Sequence, residues 1–231
     1  MKYTANYIPF EFEGKHYCFP AFAIKRPVVK AMKNGKLFEP ETHQFVKKVF
    51  NSFSGSMIHA GAFFGDMIPN FSAYVSPGYV YAFEPELKSY ILSNLCVERN
   101  NIENVFLFRN HLSSSLENKN LLVRSKGQHR GGAVKLSEKG NTISTGLKID
   151  NLMIDDLVMI QLDVEEHELP ALQGAEDTIK RCRPIIVIED NLKNCPSYLK
   201  DMGYLRTGNV HNNSVWCPKE NSEYLDLIGK T

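Results

Sequence analysis

Two apolar segments of the sequence end in acidic side chains, and these residues are well suited to chemistry. Glu84 ends YVYAFE, and Asp163 ends LVMIQLD, with Glu165 and His167 close behind it. A carboxylate directly after an apolar strand is costly to bury without a partner, so Asp163 is a candidate catalytic residue. Glu165 and His167 are further candidates, since a histidine near neutral pKa can act as a base. The alternative is a structural role, such as capping the helix that follows.

A glycine turn comes before Glu84. Residues 59–65 (HAGAFFG) follow a short apolar strand, and Gly61 and Gly65 let the backbone and a helix N-terminus approach a ligand. Glu84 ends the next predicted strand, where an acidic side chain accepts hydrogen bonds from ribose hydroxyls, and Pro85 fixes the turn. The turn lacks the G-x-G-x-x-G form that binds a pyrophosphate. It therefore favours an adenosine cofactor without a phosphate chain, and a plain strand-to-helix turn is the alternative.

A third polar group follows the apolar segment at 185–189, which ends in Glu189 and continues with Asp190 and Asn191. Together with Asp163, the oxygens of Asp190 and Asn191 could hold a hard divalent cation that lowers the pKa of a hydroxyl. Asp and Asn are also common turn openers. The sequence favours this second interpretation, without a metal.

Strands alternate with helices along most of the chain. Apolar segments predict seven strands, at 57–60, 79–84, 104–109, 157–163, 185–189, 203–207 and 214–217. Helical spacing predicts helices at 41–53, between the glycine turn and about 75, and at 86–100, 168–181 and about 196–202. This alternation implies right-handed crossovers and a doubly wound, mostly parallel α/β sheet of seven strands.

Two segments depart from this pattern. Aromatic and apolar residues alternate from Tyr7 to Phe22 around a Glu-Gly turn, which predicts a β-hairpin that serves as a lid or a brace. We assign this hairpin to an N-terminal segment, 1–40, ahead of a main domain at 41–231. Alternating residues and repeated glycines at about 113–149 predict an insertion of one or two hairpins.

The insertion carries four basic side chains within seven residues: Arg124, Lys126, His129 and Arg130. A solvated hairpin face is the default interpretation of such a run. The alternative is a clamp for an anionic acceptor, such as a nucleotide sugar or a phosphorylated glycan. Nucleic acid is not favoured, because few aromatic residues are interleaved with these charges.

The composition is that of an ordinary globular protein. The 231 residues are 43% hydrophobic, and 27 basic against 26 acidic side chains give no global field that would attract nucleic acid or an anionic membrane. The N-terminus lacks the apolar core of a signal peptide, and no window is long enough for a membrane helix. Five widely spaced cysteines indicate reduced thiols. We therefore predict a cytoplasmic location.

Three segments of the chain resemble the FkbM-type S-adenosylmethionine-dependent methyltransferases: MIHAGAFFGD, VYAFEPE and IQLDVEEHELPALQGAEDTIKRCRPIIVIE. The similarity runs from about residue 55 to 192. It implies a Rossmann-like class I methyltransferase fold and S-adenosylmethionine as the cofactor. The resemblance places the methionine part of the cofactor at Gly61, Ala62 and Gly65, and its ribose at Glu84. With the neighbouring positions, the predicted cofactor residues are His59, Gly61, Ala62, Phe63, Gly65, Glu84, Pro85, and, near the adenine, Asn110 and His111.

The resemblance also implies O-methylation, commonly of a sugar or a natural product, and hence a small-molecule or glycan acceptor. Three positions depart from the usual family pattern: His59 stands where Asp is usual, Phe63 where Asn is usual, and Glu166 where Gly is usual. A relative that binds the cofactor weakly or lacks activity is therefore the first alternative function. The second is a nucleotide-modifying methyltransferase, which the basic insertion motivates.

Overall fold

The computed structural model describes residues 6–126, 128–189 and 194–229, and these ranges contain fifteen strands and eight α-helices. The strands, in chain order, are β1 Tyr7–Phe12, β2 Lys15–Pro20, β3 Ser56–Ala60, β4 Val80–Phe83, β5 Val105–Phe108, β6 His111–Leu112, β7 Asn118–Leu122, β8 Arg124–Ser125, β9 Gln128–His129, β10 Lys135–Leu136, β11 Thr142–Leu147, β12 Leu157–Leu162, β13 Ile185–Glu189, β14 Tyr204–Val210 and β15 Asn213–Pro218. The helices are α1 Pro27–Lys33, α2 Pro40–Ser52, α3 Ile68–Val75, α4 Leu87–Arg99, α5 Glu168–Gln173, α6 Glu176–Cys182, α7 Asn194–Asp201 and α8 Ser222–Ile228. Short 3-10 turns lie at Ala21–Ala23 and Ile149–Leu152.

A seven-stranded sheet forms the centre of the molecule, with the strand order β14-β15-β13-β12-β3-β4-β5. The five strands from β13 to β5 are parallel, and β15 and β14 are each antiparallel to their neighbour. The predicted α/β fold with a mostly parallel seven-stranded sheet is confirmed. The chain passes from β3 through β4 to β5 on one side and continues at β12 on the other, so the strand order reverses between β3 and β12. Ligands bind at such a reversal.

Helices cover both faces of this sheet, which explains why its middle strands are apolar throughout. On one face, Met57 of β3 belongs to a buried cluster with Val49 of α2 and Phe71 of α3. On the other face, the neighbouring residue Ile58 belongs to a cluster with residues of α5 and α6, such as Leu172. The alternation along β3 thus divides the core into two layers.

The prediction of one continuous helix at 168–181 is wrong, because α5 and α6 are two separate helices. The break follows Gly174, where a Cβ atom would lie 2.0 Å from the backbone oxygen of Ser113. The backbone oxygen of Gly174 also accepts a hydrogen bond from the Asp150 amide at 3.0 Å. Contact with the insertion therefore interrupts the helix. Helices α1 and α8 were not predicted from the sequence.

The N-terminal hairpin consists of β1 and β2, joined at Glu13 and Gly14. Its buried side chains form a cluster with the glycine turn and α4, in which Phe19 meets the ring of Phe64 at 5.7 Å, edge to face. The hairpin thus packs against the main fold. The division into segments 1–40 and 41–231 stays a prediction.

The insertion forms a second sheet beside the central one, with the strand order β10-β7-β11-β6. Strand β11 is parallel to β6 and antiparallel to β7, and β8 and β9 form a separate two-stranded hairpin. Hairpins are therefore present where the sequence predicts them, within a larger sheet. No helix in the described ranges is long and apolar enough to cross a membrane.

Candidate functional site

A cavity of about 310 Å³ lies at the carboxyl ends of β3, β4, β12 and β13, where the strand order reverses. Ten of the predicted site residues line it: His59, Gly61, Phe63, Glu84, Pro85, Asn110, His111, Asp163, Glu165 and His167. Ala62 and Gly65 are not among the lining residues. Asp190 and Asn191, the other members of the alternative metal site, lie outside the described residues.

The glycine turn is in direct contact with the end of β12. Gly61 has a φ of +93°, and a Cβ atom there would lie 2.1 Å from the backbone oxygen of Asp163. Only glycine fits this combination of backbone angle and close approach. Gly65 serves packing instead, because a Cβ atom there would lie 3.1 Å from the Cα atom of Ser93 in α4. The turn therefore holds the predicted cofactor residues next to Asp163.

The Glu84 carboxylate ties this turn to the end of β4. Its Oε2 atom accepts a hydrogen bond from the Phe63 amide, and its Oε1 atom accepts one from the Glu86 amide, both at 2.8 Å. The side chain is buried, and burial raises its pKa to about 8. Each carboxylate oxygen can accept more than one hydrogen bond, so Glu84 retains capacity for a ribose diol.

His59 is a buried residue with one polar atom that has no partner. Its Nδ1 atom is in very close contact with Oε1 of Gln161, so Nδ1 carries the proton and donates to that oxygen. Its Nε2 atom has no hydrogen-bond partner. The ring also meets Phe71 edge to face at 5.1 Å, and burial lowers the histidine pKa to about 4. His59 therefore lines the cavity as a neutral group whose remaining nitrogen is an acceptor.

Asp163 directly follows β12 and is half-buried. Burial, together with the nearby Glu189 and Glu39, raises the pKa of its carboxyl group to about 8. Burial and Glu189 also raise the pKa of Glu165. A carboxylate with a pKa near neutrality can take a proton from a bound hydroxyl more effectively than an ordinary aspartate.

His111 and His167 lie side by side, with ring centroids 5.7 Å apart. The Nε2 atoms of both have no hydrogen-bond partner, and burial lowers both pKa values to about 4. Nδ1 of His111 lies 3.0 Å from Oγ of Ser144 in the insertion. Asn110 also contacts the insertion, since its amide donates to the backbone oxygen of Thr145 at 3.1 Å. The insertion thus supports the end of the cavity predicted to hold the adenine.

The loop after Asp163 has unusual backbone angles. Glu165 and Glu166 both have positive φ, 53° and 73°, and Phe63 in the glycine turn has a φ of 47°. Asn and Gly adopt this conformation most easily, and they are the usual family residues at positions 63 and 166. An ion pair of 2.8 Å between Glu166 and Lys135 of β10 joins this loop to the insertion.

Five further residues with charged or amide side chains line the cavity and were not among the predicted sites: Arg26, Glu39, Asp66, Gln161 and Glu189. Asp66 directly follows the glycine turn, and burial raises its pKa to about 7. Gln161 is the one polar residue of β12. Both positions could have been found from these signals. Arg26 and Glu39 carry no such signal, because they reach the cavity only through the folding of the N-terminal segment.

The basic residues of the insertion do not share one environment. Arg124 and Lys126 are exposed, whereas His129 and Arg130 are partly buried. His129 lies 3.7 Å from the Glu86 carboxylate, and the Nε atom of Arg130 donates to the backbone oxygen of Ala133 at 2.5 Å. Across the described ranges, no group of three or more His, Cys, Asp or Glu residues is arranged to hold a metal ion.

The family model of the methyltransferase FkbM domain matches residues 59–205, which is more than half of the chain. The chain belongs to the FkbM methyltransferase family. The resemblance found in the sequence is therefore confirmed, and the cofactor is S-adenosylmethionine. The FkbM match covers the glycine turn, Glu84, the insertion and Asp163, and it leaves out the N-terminal segment. A search of curated proteins found no match.

Solved structures of methyltransferases match this chain at low sequence identity. The FkbM methyltransferase from Methylobacillus flagellatus KT is 17% identical with a TM-score of 0.49, and the match covers 78% of this chain and 50% of that protein. This chain thus spans half the length of that relative. A SAM-dependent methyltransferase from Aquifex aeolicus is 15% identical (TM-score 0.47, 83% and 97% covered). An rRNA methylase from Streptococcus thermophilus is 13% identical (TM-score 0.43, 76% and 90% covered).

The residues in the cavity fit the FkbM cofactor. Glu84 offers acceptor oxygens suited to the ribose diol, and the unpartnered Nε2 atom of His59 offers an acceptor to a donor group of a ligand. Gly61 also lines the cavity, and as a glycine it places no side chain there. When bound, S-adenosylmethionine supplies an electrophilic methyl group on a sulfonium sulfur.

Proposed function

We propose that this protein is an O-methyltransferase that acts on a hydroxyl group of a sugar or another small natural product. One observation carries the proposal: a half-buried carboxylate, Asp163, lines the cavity beside the glycine turn and has a pKa of about 8. A hydroxyl is a weak nucleophile until its proton is removed, so this reaction needs a base at the acceptor.

In this proposal the chain has two tasks. Glu84 and the glycine turn hold the donor, so the backbone contact of Gly61 with Asp163 fixes the distance between donor and base. Asp163 would hold the acceptor hydroxyl and take its proton, and S-adenosylmethionine would supply the methyl group and leave as S-adenosylhomocysteine, whose sulfur keeps the electron pair of the broken carbon–sulfur bond. Holding the two reactants in line removes much of the entropic barrier to transfer.

Asp163 is a better base than the other candidates. The low pKa of His167, about 4, makes its neutral ring a poor proton acceptor at neutral pH. The pKa of Glu165 is raised, but basic side chains nearby, Arg130, Arg26 and Lys135, act against that rise. We therefore assign proton removal to Asp163 and place Glu165 and His167 around the acceptor.

The test measures methyl transfer to a panel of sugars, sugar phosphates, phenols and RNA, with product mass spectrometry to locate the new methyl group. On the best acceptor, Asp163→Asn should lower kcat about 100-fold while the affinity for S-adenosylhomocysteine stays unchanged. The control is Asp155→Asn, an exposed carboxylate just before β12 at the opposite edge of the sheet, which should retain kcat.

The pH profile gives a second readout of the same proposal. Because the base must be deprotonated, kcat of the parent should rise with pH through about 8, and the Asp163→Asn profile should lose this rise. Methyl groups found only on nitrogen or carbon, or only on RNA, would contradict O-methylation of a small molecule. Binding of the cofactor without transfer to any member of the panel would favour a non-catalytic relative.

A further inference from the structure

One strongly basic side chain, Arg26, lies among several acidic ones in the cavity lining. It is the only Lys or Arg there within the described ranges. It comes from the N-terminal segment, between a 3-10 turn and α1, and thus from outside the matched family domain. The acidic lining residues come from six different positions: Glu39, Asp66, Glu84, Asp163, Glu165 and Glu189.

Contacts hold both the backbone and the side chain of Arg26 in place. Its amide donates to the backbone oxygen of Ala23 at 2.9 Å, and Pro27 follows it at the start of α1. Near the guanidinium, a Cβ atom at Gly131 would lie 2.5 Å from Nε of Arg26, and Gly131 has a φ of +65°. Glycine at this position of the insertion therefore leaves room for the arginine.

The Arg26 guanidinium has neither a hydrogen bond nor an ion pair with any residue that the structure describes. Other half-buried arginines do have such partners. Arg183 forms a two-atom contact with the Glu220 carboxylate, at 2.6 and 3.2 Å, and Arg130 donates to a backbone oxygen. A guanidinium carries five donors in a planar arrangement that matches a carboxylate. Arg26 thus presents unused donors to the cavity.

We propose that Arg26 binds a carboxylate group in this cavity, so that the N-terminal segment takes part in ligand recognition. Glu165 interacts electrostatically with Arg26, and negative charge in the cavity lining disfavours a doubly charged phosphate more strongly than a single carboxylate. Two ligands of the proposed reaction could supply a carboxylate: the amino-acid end of the cofactor, and an acidic acceptor. The proposal rests on the cavity being the methyltransferase site, and its test does not depend on methyl transfer.

The first experiment compares two ligands by calorimetry: S-adenosylhomocysteine and its decarboxylated analogue, which keeps the ammonium group. The variant is Arg26→Met, which keeps the aliphatic stem against Gly131 and removes the charge. The control is Lys25→Gln, the same loss of charge at the exposed neighbouring residue. If the cofactor supplies the carboxylate, Arg26→Met weakens the binding of S-adenosylhomocysteine about tenfold or more. The affinity of Arg26→Met for the decarboxylated analogue stays that of the parent, and Lys25→Gln binds both ligands as the parent does.

The second experiment tests the other source. Sodium acetate is titrated into the protein saturated with S-adenosylhomocysteine, and the Nε–H resonance of Arg26 is followed by NMR. If an acceptor supplies the carboxylate, Arg26→Met binds S-adenosylhomocysteine as tightly as the parent in the first experiment. In the parent, acetate then shifts the Arg26 resonance to saturation. Unchanged affinity together with no saturable shift would overturn the proposal. Binding of the decarboxylated analogue to the parent would show that the protein has a cofactor site. Failure of the Arg26 proposal is thereby distinguished from failure of the proposed function.

Discussion

A neutral imidazole at position 59 changes how this site can bind the charged end of its cofactor. In the proposed placement of the cofactor, Glu84 holds the ribose, and the ammonium is the donor group that we expect near β3. Gln161 fixes the proton of His59 on Nδ1, so Nε2 is the acceptor. A neutral acceptor binds an ammonium less strongly than a carboxylate does, since the charge attraction is missing. Compared with the usual aspartate, His59 therefore weakens the hydrogen-bond acceptor at this position without removing it.

This predicts that His59→Leu weakens the binding of S-adenosylhomocysteine about tenfold, because the ammonium loses its partner, while His59→Asp binds at least as tightly as the parent. His43→Leu is the matched control. Like His59, His43 is buried against Phe71, has a pKa of about 4 and has one ring nitrogen, Nδ1, without a hydrogen-bond partner. Unlike His59, it does not line the cavity. Calorimetry should find the control unchanged. Equal losses in both leucine variants would show that packing, and not the acceptor, matters.

Individual site residues were predictable where a strand end placed them. Glu84 and Asp163 were found because the carboxyl ends of parallel strands meet at one edge of a sheet. The same rule could not find Arg26 or Glu39, since their position depends on how residues 6–40 fold over the sheet. The pKa near 8 of Asp163 was equally inaccessible, because it depends first on burial in the folded chain and then on Glu189 and Glu39, which are distant in sequence.

At the scale of elements, the contact between the glycine turn and the end of β12 joins the two halves of the site. Gly61→Ala should lower the free energy of unfolding by about 3 kcal/mol or more. The cost combines a positive φ with a Cβ atom 2.1 Å from the Asp163 backbone oxygen, which must move.

Urea denaturation measures this cost against Gly208→Ala. A Cβ atom at Gly208 would have no atom of the described chain within 4 Å, apart from its immediate neighbours in sequence, and the φ of Gly208 is not positive. The control should change stability by less than about 1 kcal/mol. An alanine variant of Gly61 with parental stability would mean that the turn and β12 are not in contact.

The sequence predicted elements wherever burial alone determines the pattern. The middle strands are apolar because helices cover both faces, and α2 and α4 lie close to their predicted ranges. The break between α5 and α6 escaped prediction, because it depends on contact of Gly174 with Ser113. The left-handed residues Phe63 and Glu166 also escaped, since their side chains are not those that favour such a backbone.

At the scale of the whole molecule, two sets of buried groups respond to pH in opposite ways. Folding raises the pKa values of Asp66, Glu84 and Asp163 to between about 7 and 8. Their contribution to stability is present at low pH and is lost as pH rises through those values. Folding lowers the pKa of four histidines to about 4, so their contribution is lost as pH falls below about 6.5. These are His43, His59, His111 and His167.

The two sets predict maximal stability near pH 6 and a loss of stability between pH 7 and 8. In that upper window the histidines are mostly neutral in both states, while the three carboxyl groups still hold protons only in the folded state. The free energy of unfolding should therefore fall by about 2 kcal/mol per pH unit. Urea denaturation at pH 7.0, 7.5 and 8.0 without ligand measures the slope.

Glu84→Gln and Asp163→Asn should each reduce this slope, because each removes one group that releases a proton in this window. A parent slope of zero, or a rise towards pH 8, would show that these carboxyl groups are already ionised at pH 7, and would remove the raised pKa on which the assignment of Asp163 as the base depends.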